Sequence, residues 1–217
     1  MHDGERTLAL LGLNAGKGGS DRVLALAERA LELSGLPIGE MDAVAVSRGP
    51  GSLTGLRVGI GTARGLAAGA GKSLLGVSTL QALAAGMGSG PPVLVLVDAG
   101  RGEVYGALFE PADPPARIGE EHLGAPARFV EAVADRRVRL AGSGAERYGD
   151  LFSGASWVPA TGEEFLAPGV ARVAAALARR SSSGDAITSK TAARELDASP
   201  RYLRREDAPF SFAATEG

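Results

Sequence analysis

The sequence predicts an α/β architecture in two domains, on three observations. Short apolar runs alternate with segments of helical periodicity along the chain. Glycine and proline fall between these segments rather than inside most of them. Finally, Gly86-Met87-Gly88-Ser89-Gly90-Pro91 reads as a flexible joint, which puts the domains at residues 1–90 and 91–217.

The elements follow in chain order. Residues 7–11 (Thr-Leu-Ala-Leu-Leu) read as a short strand, and residues 14–19 as a glycine-rich connection into a helix that Ser20 could cap. Over residues 23–33, Val23, Leu24, Ala27, Ala30 and Leu31 share one face, with Glu28, Arg29 and Glu32 opposite. Gly35 and Pro37 stop that helix. A buried strand at 42–47 leads through the loop 48–54 into a second helix from about Gly55 to Gly69. Beyond the joint, a strand at 92–98 pairs with 103–110 through the turn Ala99-Gly100-Arg101-Gly102. A helix at 126–135, a strand at 138–141, a short strand at Trp157-Val158 and a helix at 168–180 complete the pattern.

Composition removes several kinds of chemistry. The 217 residues include no cysteine, so disulfides, thiolate catalysis and thiolate metal sites are excluded, and the cytoplasm is the simplest location. The first six residues lack the order of a signal peptide, and no apolar run reaches the length of a membrane helix. A formal charge of −2 gives the chain no overall attraction for a polyanion. Arginine groups at 136–139 and 201–205 read as solvated surface, with local phosphate contact as the alternative.

Nucleophilic and metal chemistry are thinly supplied. The two histidines are His2, near the terminus, and His122, read as an exposed loop residue beside Glu120 and Glu121; no metal site is predicted. Gly71-Lys72-Ser73 ends like a phosphate loop, but the glycine required five residues earlier is Leu66, and a helix precedes it where a strand should. Asn14-Ala15-Gly16-Lys17-Gly18-Gly19-Ser20 does join a strand to a helix, although a plain turn accounts for it. Asp98 after an apolar strand could anchor a metal, as in a kinase, or accept backbone N–H groups in its turn.

The segment that stands apart is Ser47-Arg48-Gly49-Pro50-Gly51-Ser52-Leu53-Thr54-Gly55-Leu56-Arg57 with the helix it opens. Leu56, Ile60, Ala63 and Ala67 form one face, suited to the chain's own sheet. Gly61, Gly65 and Gly69 form a second, and Arg57, Val58 and Arg64 lie near it. Each glycine inside a helix costs about 1 kcal/mol relative to alanine, so the arrangement favours close approach of another backbone. That backbone could belong to a partner subunit, or to the chain's own first helix.

With these residues on view, the sequence resembles the bacterial TsaB family, also called YeaZ. The resemblance rests on residues 48–57, Gly65-Leu66-Ala67, Gly76-Val77-Ser78-Thr79-Leu80, Ala82-Leu83-Ala84, the hairpin 98–105 and Pro200-Arg201-Tyr202-Leu203-Arg204. It implies an actin-like, sugar-kinase-like two-domain fold and an accessory subunit without catalytic residues or cofactor. It also implies a TsaD-like catalytic subunit that transfers a threonylcarbamoyl group to a tRNA adenosine, and a TsaE-like ATPase. Self-association is expected when the chain is alone, and tRNA contact only through the complex. The resemblance assigns partner binding to the helices beginning at Ser20 and Gly55, hence to Arg57, Val58, Gly61, Arg64, Gly65 and Gly69. The family's motif loop falls on Arg48, Gly49, Pro50, Gly51, Ser52, Thr54 and Gly55. Two readings from other classes are a metal-dependent peptidase-like protein and a small-molecule kinase of the same superfamily.

The start departs from the family pattern. TsaB proteins open with an apolar strand, an Asp-Thr-Ser-like turn and a second strand, and this first hairpin is missing before residues 7–11. The expectation is that the natural product begins upstream of Met1, because a strand at 8–11 would otherwise form an exposed sheet edge.

Overall fold

A computed structural model of the chain describes residues 1–3, 5–13, 22–153, 156–157, 166–181, 197–203 and 212. The glycine-rich connection at 14–19, Ser20, Val158 and Arg204-Arg205 lie outside them. The chain forms two compact units, Met1–Thr79 with Val170–Pro200, and Leu80–Gly169 with Arg201–Gly217. The division expected at Gly90 therefore falls about ten residues earlier, and the chain returns to the first unit near its C-terminal end.

In the first unit, helix α1 (Val23–Ser34) ends at Gly35, whose φ of 70° is the left-handed conformation a helix exit favours. Strands β1 (Ala43–Ser47) and β2 (Ser73–Val77) pair in parallel, Ala43 opposite Ser73 and Ser47 opposite Val77. Between them runs α2 (Leu53–Ala70), which buries Leu56, Ile60, Ala63 and Ala67, the face expected from its periodicity, and lies on both strands. Gly71 sets its exit: at φ 64° it caps the helix, while the Lys72 N–H reaches the Ala67 carbonyl at 2.8 Å. Gly71-Lys72-Ser73 is thus a helix exit feeding a strand, not a phosphate loop.

Residues 7–11 do not form the expected strand. His2 and Thr7 make a single antiparallel bridge, the Leu8 N–H donates to the Met1 carbonyl, and the N-terminal ammonium donates to the Ala9 carbonyl at 2.7 Å. The Asp3 carboxylate accepts from the N–H groups of Glu5 and Arg6, closing the turn. Local pairing satisfies the backbone that a sheet would otherwise have satisfied. From helix α6 (Leu166–Ser181), Val173, Ala174 and Leu177, all buried, belong to the first unit.

The second unit is built on a five-stranded sheet in the order β5-β4-β3-β6-β7. Its strands are β3 (Val93–Gly100), β4 (Glu103–Glu110), β5 (Ala116–Gly124), β6 (Arg139–Ala141) and β7 (Ser156–Trp157). The period of two along β3 divides its side chains between two cores. Leu94 and Leu96 join Val104, Leu108, Phe129, Leu140 and Phe212. Val93 and Val95 join Ala107, Phe109 and Ala141, covered by Leu80, Leu83 and Ala84. The latter three belong to α3 (Thr79–Ala85), which is why residues 80–90 go with this unit. The joint at 86–91 is pinned rather than loose. Buried Arg139 donates from its guanidinium to the carbonyls of Pro91 (3.0 Å), Met87 (2.7 Å) and Gly88 (3.2 Å).

Helix α4 (Pro126–Ala132) is shorter than expected, while α6 (Leu166–Ser181) starts two residues earlier than residue 168. Two elements, β5 and α5 (Ser143–Tyr148), escape the sequence reading, which also assigns no element to 73–85. β5 is an edge strand rich in charge, and α5 is flanked by Gly142 and carries Gly144, both seated on the Leu96 backbone. Neither pattern announces a regular element. Among the described residues no helix is long and apolar enough to cross a membrane.

Candidate functional site

The loop from β1 to α2 is stitched to the end of β2. The Arg48 N–H donates to the Val77 carbonyl and the Thr79 N–H to the Gly49 carbonyl, both at 2.9 Å. The hydroxyls of Ser47 and Thr79 meet at 2.6 Å. Gly49, at φ 107°, and Pro50 are buried, so this turn is fixed from below. Ser52 then caps α2, its hydroxyl accepting from the Gly55 N–H at 3.4 Å. Leu53, Thr54 and Gly55 emerge exposed on the first turn.

From that start α2 presents a second face to the outside. Arg57, Gly61, Arg64, Gly65 and Gly69 are exposed, and Val58 is half-buried. Among the described residues, a Cβ added at Gly61, Gly65 or Gly69 would meet no atom within 4 Å. The described residues of the chain's own first helix, though in contact with α2, do not come within 4 Å of those added Cβ positions. Three mid-helix glycines together cost the helix about 3 kcal/mol relative to alanine, and no contact within the described residues offsets that cost. Beside them α1 buries none of its residues, and Val23, Leu24 and Leu33 stand exposed, Leu24 at 46%.

The remaining candidates separate into structural roles. Asp98 accepts from the Gly100 N–H at 2.9 Å with one carboxylate oxygen and from the Arg147 guanidinium at 2.8 Å with the other. It closes its own turn, as the reading as a backbone acceptor expects. His122 is not an exposed loop residue. It sits half-buried on β5 with its ring edge-on to Phe212, centroids 5.9 Å apart. Among the described residues no three His, Cys, Asp or Glu side chains gather as a metal-ligand group.

Two arrangements had no clear signal in the sequence. Glu121, its side chain 1% exposed, lies 3.3 Å from the Arg201 guanidinium and 3.6 Å from that of Arg117. Gly76 on β2 lies directly beneath the backbone of Asp197 and Ala198, where an added Cβ would sit 2.6 Å from the Ala198 Cα. Gly76 and Arg201 fall within stretches that carry the family resemblance, 76–80 and 200–204, but nothing in those stretches signals the overlying backbone or the buried carboxylate.

Comparison with known proteins bears on this geometry. The model of the family TsaD, tRNA N6-adenosine threonylcarbamoyltransferase, matches residues 14–198. The tRNA threonylcarbamoyladenosine biosynthesis protein TsaB of Escherichia coli (strain K12) is 41% identical over 105 residues, covering 47% of this chain and 46% of that protein. Its namesake in Haemophilus influenzae is 41% identical over 87 residues, 39% of this chain and 37% of that one. The matched stretch thus spans less than half the length of either curated relative. A crystal structure of a Pseudomonas aeruginosa protein described as similar to peptidase YeaZ superposes with a TM-score of 0.68 at 27% identity, over 87% of this chain and 85% of the other. Joined to TsaB and YeaZ proteins by sequence and by an actin-like α/β fold, the chain belongs to the TsaD family as a TsaB/YeaZ-type member.

Proposed function

We propose that this chain is a non-catalytic accessory subunit in the biosynthesis of tRNA N6-threonylcarbamoyladenosine. In this reading it docks on a TsaD-like catalytic subunit through the exposed strip of α2, with α1 beside it. The observation that carries the reading is the open row of Gly61, Gly65 and Gly69, a helix penalty with nothing among the described residues to offset it. Such a strip admits a partner helix at backbone distance, and Arg57 and Arg64, two turns apart, would meet carboxylates on that helix. The names of the E. coli and H. influenzae relatives supply the pathway.

The supply of residues supports a supporting rather than a reacting role, since the chain has two histidines and no cysteine. A TsaE-like ATPase joins the assembly, tRNA is met through it, and the same strip serves self-association when no partner is present. The cytoplasm, where tRNA is modified, is the location this reading requires. The test is reconstitution. The chain and a TsaD-type protein should elute as one complex from size exclusion, and omitting the chain should depress tRNA modification while the chain alone yields none. Separate elution at micromolar concentration, with modification unaffected by omission, would overturn the proposal.

A further inference from the structure

We propose that residues 197–200 form a strap that clips onto β2 and, through it, holds the motif loop and the first turn of α2 in the conformation a partner binds. The inference rests on the reading of α2 as the docking helix. Gly76 is the contact point, because the strap backbone lies closer to β2 than any side chain at that position would allow. The next residue, Val77, accepts the Arg48 N–H, and Thr79 holds Ser47 and Gly49. Strap, strand end and loop are thus consecutive links in one hydrogen-bonded and packed series ending at the Ser52 cap.

The strap is shaped to seat there by its own turn. The Asp197 carboxylate accepts from the Ser199 N–H and the Ser199 hydroxyl, each at 3.0 Å. These bonds, the N–H first and the hydroxyl second, hold the Asp197 carboxyl below the ordinary aspartate range, and the Arg48 guanidinium adds to the effect. Asp197 and Ser199 are exposed and Ala198 and Pro200 half-buried, so the segment lies at the surface above buried Gly76, where local opening is least costly. Docked and lifted strap are then two states of one element, and any partner that needs the seated loop favours the docked one.

The experiment compares wild type, Gly76→Ala and Asp197→Ala by amide exchange and by titration with a TsaD-type protein. Gly76→Ala puts a methyl group into the Asp197 carbonyl and lifts the strap; Asp197→Ala removes only the turn and decides the matter if the first variant fails to fold. The expected result is faster exchange at Ser199, Arg48 and Leu56 together, with partner affinity lowered about threefold to thirtyfold. Faster exchange at Ser199 alone, with loop protection and affinity as in wild type, would overturn the proposal. A wild-type chain that fails to bind the partner sinks the docking assignment, whereas coupled exchange between strap and loop still upholds the coupling itself.

Discussion

Replacing Gly65 with leucine puts opposite demands on the free chain and on the complex. In the free chain the new side chain enters open space, since a Cβ at this position meets nothing within 4 Å. Leucine is the better helix former by about 0.5–1 kcal/mol, so the melting temperature should rise by about 1–4 °C. In the complex the same side chain stands where a partner backbone must pass, and overpacking costs about 1–3 kcal/mol. Affinity for a TsaD-type protein should therefore fall by roughly fivefold to 150-fold. Thermal melts of the free variant and calorimetric titration with the partner separate the two effects. A lowered melting temperature would mean that the chain itself packs on Gly65. Unchanged affinity would remove the glycine row from the interface.

The contrasting substitution is Gly106→Ala, whose methyl group would sit 2.8 Å from the Leu96 Cδ2 and collide with the Phe129 ring. Loss of about 1–3 kcal/mol in denaturant melts is expected. Arg201→Ala removes the nearer guanidinium from buried Glu121, 3.3 Å away, and leaves the more distant Arg117 pairing at 3.6 Å in place. A destabilisation of about 1–3 kcal/mol is expected, with Glu121→Gln in the same background recovering part of it; a melt unchanged from wild type would contradict the ion-pair assignment. Because the folded-state pKa of Asp197 is depressed, its contribution to stability is fully present above the ordinary aspartate value of 3.8 and fades as pH falls through the lower folded value. Asp197→Asn should accordingly lower the neutral plateau of a stability–pH curve towards its acid value, flattening the acid limb; an acid limb as steep as in wild type would contradict the assignment.

What could be read from the sequence depended on whether an element's burial is decided locally. The face of α2 was readable because Leu56, Ile60, Ala63 and Ala67 repeat at the helical period and all meet one sheet. β4 was readable at its full extent, 103–110, because the glycine turn at 100–102 and Pro111 bracket an apolar run. β5 was not, since Glu120-Glu121-His122 looks like solvent-facing loop until Arg201 and Phe212, some 80 to 90 residues later, cover Glu121 and His122. The joint at 86–91 misled for the same reason, as its carbonyls are gathered by Arg139, nearly fifty residues away. Residues 7–11 looked like a strand by composition, and short-range pairing with residues 1–3 prevailed. At the candidate site, the identity of the glycines was legible, but that no described residue packs on them required the tertiary arrangement.

The outer margin of the second unit's sheet has a consequence for the free chain. A bare strand edge is a template on which like molecules stack, and a chain waiting for its partner would be at risk of joining fibrils. Here β5 carries Glu121 pointing inward and Arg117 and Glu120 beside it, so strand addition from another molecule would have to contend with buried and partly buried charge. Growth by sheet extension is disfavoured at that margin while the helical strip in the other unit stays open. A chain built this way guards that sheet margin against its own copies without any further covering element among the described residues.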